Sequence, residues 1–422
     1  MTLNWKRILI LIGFIAGVVL IGYLLYFTFL RPALPGAPAP VNGNVNLPPG
    51  VLPSAGVNVN ILTNLNVNGG LPTGANINVN LAPAELPVGS VQPTETAAGG
   101  LTQTTTLTDH QALKPTLASN GSDAYYYDRT TGLFYQVAPD GKKTPLSNTV
   151  FFEVEKVTWA PNKNLAVLEY PDGANIAYNF SNNKQVTLPS HWKDFSFSPK
   201  GDKLVFKSMG DTTDNRWLAI ANFDGSQAKK IEALGDQDAT VYPLWSPNNQ
   251  MIAMYTQDAG FDQQNLLFIG ANNENFNQVP IAGRGFQAAW SPNGNQLLYS
   301  VYSSQTNYKP TLWLIDVAGD NIGQNRRSLR LETWANKCSF SGNEAIYCAV
   351  PRSLEDGAGI FQNDLDSSPT DIYKIDLKTG LRARIAIPAG NHNIDQVFTT
   401  ADDDYLYFTD KTSGQLYKIN LK

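Results

Sequence analysis

Cysteine is nearly absent from this chain: it occurs twice in 422 residues, at Cys338 and Cys348. So few thiols exclude a disulfide-built scaffold. Charge is also scarce, at 16% of residues, and neither Lys nor Arg occurs between Arg31 and Lys114. The net charge is −5, and no basic cluster exceeds Arg326-Arg327 with Arg330, so nucleic acid is not an expected partner. Histidine occurs three times. Asp402-Asp403-Asp404 lacks the alternating spacing and distal Glu of a cation loop and reads as a solvated turn. No Gly-x-Ser-x-Gly nucleophile elbow is present. No cofactor and no metal are expected from this pattern.

What is abundant is apolar and turn-forming. Residues 8–30 form an uncharged run of 23, preceded by Lys6 and Arg7. As a helix at 1.5 Å per residue it would measure about 35 Å, enough to span a bilayer. The positive-inside bias then leaves residues 1–7 in the cytoplasm and the rest outside, as a single-pass anchor in the cell membrane of a bacterium. The rival, a cleaved signal peptide, wants a shorter apolar region, and Ala37-Pro38-Ala39 followed by Pro40 is a poor cleavage site. Residues 31–100 are rich in Pro, Asn, Gly and Val. Their phrases, such as Val57-Asn58-Val59-Asn60, alternate like strands, but Pro and Gly interrupt every run and no aromatic residue could seed a core. A flexible, disordered linker is the expectation, with a small stacked β element as the alternative.

From residue 101 onward the chain reads as strands. Trp290-Ser291-Pro292-Asn293-Gly294 has a legible job: an aromatic strand end, a Pro that stops the ladder, and an Asn-Gly that tolerates positive φ in a tight turn. Related phrases begin at Trp159, Phe197, Trp245 and Phe340, with a degenerate copy at Phe398-Thr399-Thr400 and an unmarked one at Leu117-Ala118-Ser119. Steps of 38 to 58 residues between copies match four-stranded propeller blades. The expected fold is all-β, a seven-bladed β-propeller over residues 101–422. The last unit supplies strands A, B and C, and Leu101 to Thr108, rich in β-branched residues, is expected to close the ring as its fourth strand.

This phrase, followed by an apolar strand and then a Tyr- or Trp-containing one, resembles the WD40-like repeats of TolB-type propellers. It is similar too to the propeller domains of prolyl oligopeptidases. The resemblance covers about residues 101–422 and implies the architecture and a periplasmic location. The chain departs from both families. The expected membrane anchor stands where TolB has an α/β domain, and no hydrolase domain is expected beside the propeller.

In such a ring the A–B and C–D turns share one face, and the B–C and D–A connections share the other. The A–B turns here are short. The B–C connections at 208–216, 256–264, 303–310 and 351–370 are long, which suits recognition. They supply the candidate binding residues Arg216, Phe261, Asp262, Tyr308, Lys309, Arg352 and Phe361. On the D–A side, Glu153, His191, Arg284 and His392 are expected to rim the channel mouth. His191 and His392 each lie six residues before a strand-A aromatic and read as repeat-turn residues, not metal ligands. Cys338 and Cys348 flank the A–B turn of blade six. They either bond across the hairpin or point apart, and a one-residue change of register decides which. The expected function is a membrane-anchored protein-binding or scaffold module in the cell envelope, with a protein or envelope component as partner. The alternative is a hydrolase or lyase acting on glycan or peptide in the channel; envelope sensing is a third reading.

Overall fold

The computed structural model describes Leu20, residues 92–272, Glu274 and residues 276–422. The expected membrane span at 8–30, apart from Leu20, and the linker up to residue 91 lie outside the described residues. Among the described residues no helix is long and apolar enough to cross a membrane.

Seven antiparallel sheets form a ring of blades. The innermost A strands are Ala112–Leu117, Lys156–Trp159, Trp192–Phe197, Val241–Pro243, Arg284–Trp290, Cys338–Ser341 and Ile394–Thr399. Each B strand is packed on both faces by neighbouring blades, so it reads as a nearly continuous apolar run rather than an alternation. Gln296–Tyr302 and Ala345–Pro351 are buried along almost their whole length. The outer D strands Lys184–Leu188 and Lys229–Ala233 face solvent. Every seam between adjacent blades holds its own apolar cluster. Phe134, Phe151 and Tyr178 meet between blades one and two, and Met254, Phe286 and Tyr299 between four and five. The ring is therefore cohesive through nearest neighbours only, as in a repeat protein.

The repeated phrase works as framework. Ser291 Oγ donates to Asn293 Oδ1 (2.8 Å) and accepts from the Gln296 N–H (2.9 Å), which fixes the A–B turn. The Trp290 indole N–H donates to the Leu244 carbonyl of the preceding blade (3.1 Å), and Trp159 does the same to Lys114 (3.0 Å). In the last blade the unit is displaced by one residue from the expected alignment. Thr400, not Thr399, takes the serine's place: its Oγ1 donates to Asp402 Oδ1 (2.6 Å) and accepts from the Tyr405 N–H (3.1 Å).

Thr105–Thr106 pairs with Tyr417 and Lys418 and completes blade seven, as the strand pattern predicts. Leu107 follows it into the seam between blades seven and one and is 3% exposed. The closure extends further back than residue 101. Leu101–Thr102 runs parallel to the outer strand of blade six, the Gly99 N–H donates to Ile385 O (2.7 Å), and the Ala97 N–H donates to Asn420 O (2.9 Å). Residues 94–100, assigned to the linker from composition, thus tie blades six and seven together. Backbone hydrogen bonds do not need the side-chain pattern that was lacking there.

Cys338 and Cys348 are directly opposed in the A–B hairpin of blade six and are disulfide-bonded.

Candidate functional site

The B–C connections of blades four to six do not stand apart as separate loops. In blade four, most of 256–264 is paired strand, Ala253–Gly260 against Gln263–Ile269. Only Phe261 and Asp262 form the tip, a correction to the expected long loop. Arg284 fastens this hairpin from blade five: its Nε donates to Phe261 O (2.8 Å), and its guanidinium pairs with Asp258. The Asp262 carboxylate accepts from the Ser304 N–H (2.9 Å) and hydroxyl, and these bonds hold its pKa below the usual value. The Gly359 N–H donates to Tyr308 O (2.7 Å), the Gly357 N–H donates to Asn307 O (2.8 Å), and Lys309 lies 3.5 Å from Asp356. Arg352 then bridges Asp371 (2.7 Å) and Asn391 (2.9 Å), reaching blade seven. Arg216 stands outside this belt and pairs with Asp238 (3.0 Å).

One buried pair anchors the longest connection, residues 352–369. Lys337 Nζ donates to Asp366 (2.8 Å) and to Ile394 O (2.7 Å), with Asn393 Oδ1 at 3.3 Å. Both side chains are excluded from water, at 0% and 1% exposure. Burial pulls the Lys337 pKa down, and Asp366 resists that pull. Nothing in the sequence marks this pair, because its members lie 29 residues apart in irregular segments.

The four D–A candidates, expected to rim the channel mouth, do not gather around one cavity. None of Glu153, His191, Arg284 and His392 lines the channel cavity. Glu153 and His191 are exposed, and Arg284 is committed to the blade-four hairpin. His392 turns into the fold: Nδ1 lies 3.1 Å from Asp410, Nε2 lies 3.4 Å from Thr104 on the segment that closes the ring, and the ring packs against Tyr417. Its counterpart is not His191 but His110, whose Nδ1 lies 3.2 Å from Asp128. Each histidine precedes its aspartate by 18 residues. Each aspartate accepts two backbone N–H groups from the turn that follows, Asp128-Arg129-Thr130-Thr131-Gly132 and Asp410-Lys411-Thr412-Ser413-Gly414. That repeated phrase is the sequence signal that would have identified the pair. The one-residue displacement in the last blade hid it.

The lumen carries a cluster that sequence reasoning missed. In blades one and three the A strand is bulged, with Lys114 (φ 46°) and Asp194 (φ 55°) in left-handed backbone. A bulge re-aims a side chain, and both residues line a cavity of about 890 Å³ with Lys156, Lys163, Lys207, Trp159, Tyr242 and Phe286. Asp194 lies 3.0 Å from Lys156 and 2.9 Å from Lys207. Burial opposes its ionisation, but the two lysines outweigh burial and hold its pKa low. Glu169 sits behind Lys156 at 3.5 Å, and burial raises its pKa.

No protein-family model matches the chain, and no curated protein matches it in sequence. Solved structures do share its architecture. An oligogalacturonate lyase in complex with manganese superposes with a TM-score of 0.52 at 14% identity, over 76% of this chain and 93% of that one. The Cps50 (Swd1) β-propeller domain of Myceliophteria thermophila gives 0.52 at 9% identity, over 76% and 100%. A prolyl endopeptidase gives 0.51 at 11% identity, over 74% of this chain and 48% of that one. At such identities the likeness shows the propeller fold alone.

Proposed function

We propose that this chain is a binding module of a bacterial cell envelope, held outside the membrane by residues 8–30. In this reading it recognises a protein partner through its B–C/D–A face and belongs with the TolB-type repeat propellers. The observation that carries the reading is the distribution of exposed apolar side chains. Of the seven large ones in the ring, Val150, Phe152, Phe261, Ile360 and Phe361 stand on this face, while Val186 is on the outer rim and Leu381 is at a C–D turn opposite. Phe261 is 79% exposed on a hairpin fastened by Arg284 and Asp262, so binding would not have to order it. Aromatic anchors on a pre-organised surface ringed by polar groups are the usual energetic centre of a protein interface. The bonded Cys338–Cys348 pair supports an oxidising, extracytoplasmic location.

The test is proximity labelling from the propeller in native cells. The full chain is compared with a triple variant, Phe152→Ser, Phe261→Ser and Phe361→Ser, and with Leu381→Ser. A defined set of envelope proteins should be labelled by the parent and by Leu381→Ser and lost in the triple variant. Identical labelling by all three would reject this face.

A further inference from the structure

Two lumen lysines lack a carboxylate partner. Lys156 and Lys207 share Asp194, and Lys156 also has Glu169. Lys114 and Lys163 make no ion pair among the described residues, though Asp395 acts on Lys114 from a distance. Both come from the seam of blades one and two and line the same cavity. Lys163 reaches across from its A–B turn to donate to Thr116 Oγ1 (2.8 Å), and the Trp159 indole crosses the same seam to the Lys114 carbonyl (3.0 Å). Lys114 is water-accessible yet enclosed by protein, as befits a side chain inside a wet channel. Burial lowers the pKa of both amines, that of Lys163 to about 8.

The backbone under Lys163 makes its presence informative. In six of the seven blades the third residue after the repeat's serine position closes the A–B turn by donating its N–H back, and its φ is positive. That residue is Gly121, Gly201, Gly294, Asn249 or Asp403 in five other blades, and Lys163 in blade two. Glycine adopts this conformation freely, whereas a long L side chain is strained there. The turn itself gains nothing from lysine; what lysine adds is an amine delivered to the lumen. Lys114 also occupies left-handed backbone, at a bulge. Two strained, unpaired cations facing one cavity of about 890 Å³, within the size range of small-ligand pockets, call for an anion. The apolar walls formed by Tyr242, Phe286 and Trp159 call for a carbon skeleton on it.

We propose that the lumen at the seam of blades one and two binds a small organic polyanion whose acid groups pair with Lys114 and Lys163. This site is independent of the face proposed above. Titration calorimetry of the full chain in detergent, at low salt, tests it with three probes: citrate, inorganic pyrophosphate and neutral erythritol. At least one anion should bind, with affinity that falls as salt is added, while erythritol should not. Binding of citrate alone identifies a polycarboxylate, and binding of pyrophosphate alone a phosphoryl compound. Lys114→Gln and Lys163→Gln should each weaken binding about 10- to 100-fold, the range for a lost charge-assisted bond. Lys163→Gly separates binding from folding, because it relieves the turn and should melt no lower than the parent while losing affinity. The bound anion should also raise the Lys163 pKa, so binding near pH 8 takes up protons, read as a heat that varies with the buffer's ionisation enthalpy. Failure of both anions to bind above erythritol, or full affinity in Lys163→Gly, would overturn the proposal.

Discussion

Replacing Asp366 by alanine should destabilise the propeller by about 3–5 kcal/mol, the usual cost of stranding one member of a buried ion pair. Lys337 Nζ would keep its bonds to Ile394 O and Asn393 Oδ1 but lose its only direct anion. Urea unfolding followed by tryptophan fluorescence is the assay, since Lys337 lies 5.7 Å from the centre of the Trp334 ring. The double variant Lys337→Met with Asp366→Leu removes both charges and should recover most of the loss. The pH dependence has a definite sign. The folded-state pKa of Lys337 is lowered, so between it and the unfolded value of 10.5 the unfolded chain binds more protons and stability rises with pH. Below that window the full cost of burying the charge is present. Without Asp366 the folded pKa falls further, so the alkaline gain should begin at lower pH in Asp366→Ala than in the parent. A loss below 1 kcal/mol, or a double variant no more stable than the single one, would refute the reasoning. Connection 352–369 hangs on the same pair, so Asp366→Ala should also weaken partner binding through the B–C face.

Reducing Cys338–Cys348 should lower stability by about 2–3 kcal/mol on the loop-entropy model for a separation of 10 residues; unchanged urea midpoints with and without reductant would contradict this. Leu107→Ala, at the seam where the ring closes, should cost about 2–5 kcal/mol, and a loss within 0.5 kcal/mol would show that the closing segment does not seal it. Trp290→Phe keeps the apolar ring but removes the N–H to Leu244 O, and should cost about 1 kcal/mol in the same assay.

Much of the architecture was legible because its signal is local. A Ser-Pro-Asn-Gly turn announces itself in five residues, and repetition turns a weak signal into a strong one. The closing strand was legible from its β-branched residues, although the segment first pairs with blade six at Leu101–Thr102 and reaches blade seven only at Thr105–Thr106. The last unit was displaced by one position because Phe398 mimics the aromatic, while Thr400 performs the serine's hydrogen bonding. That slip made His191 and His392 look equivalent and hid His110. The candidate face was legible as a face, but not the roles within it. Arg284, Asp262 and Arg352 hold the surface together, whereas Phe261 and Phe361 are presented by it. The lumen cluster could not be read. Lys114, Lys163 and Lys207 are widely separated in sequence; a bulge brings Lys114 and a left-handed turn brings Lys163 to the cavity, which Lys207 reaches from a B strand.

The central claim is that recognition occurs on the B–C/D–A face. The most direct measurement places a photo-crosslinking residue at Phe152, Phe261, Phe361 or Leu381 in separate full-length chains and compares adducts formed in living cells. Covalent partner adducts from Phe152, Phe261 and Phe361, with none from Leu381, are the predicted result. Adducts from Leu381 alone, or from none of the four, would contradict it.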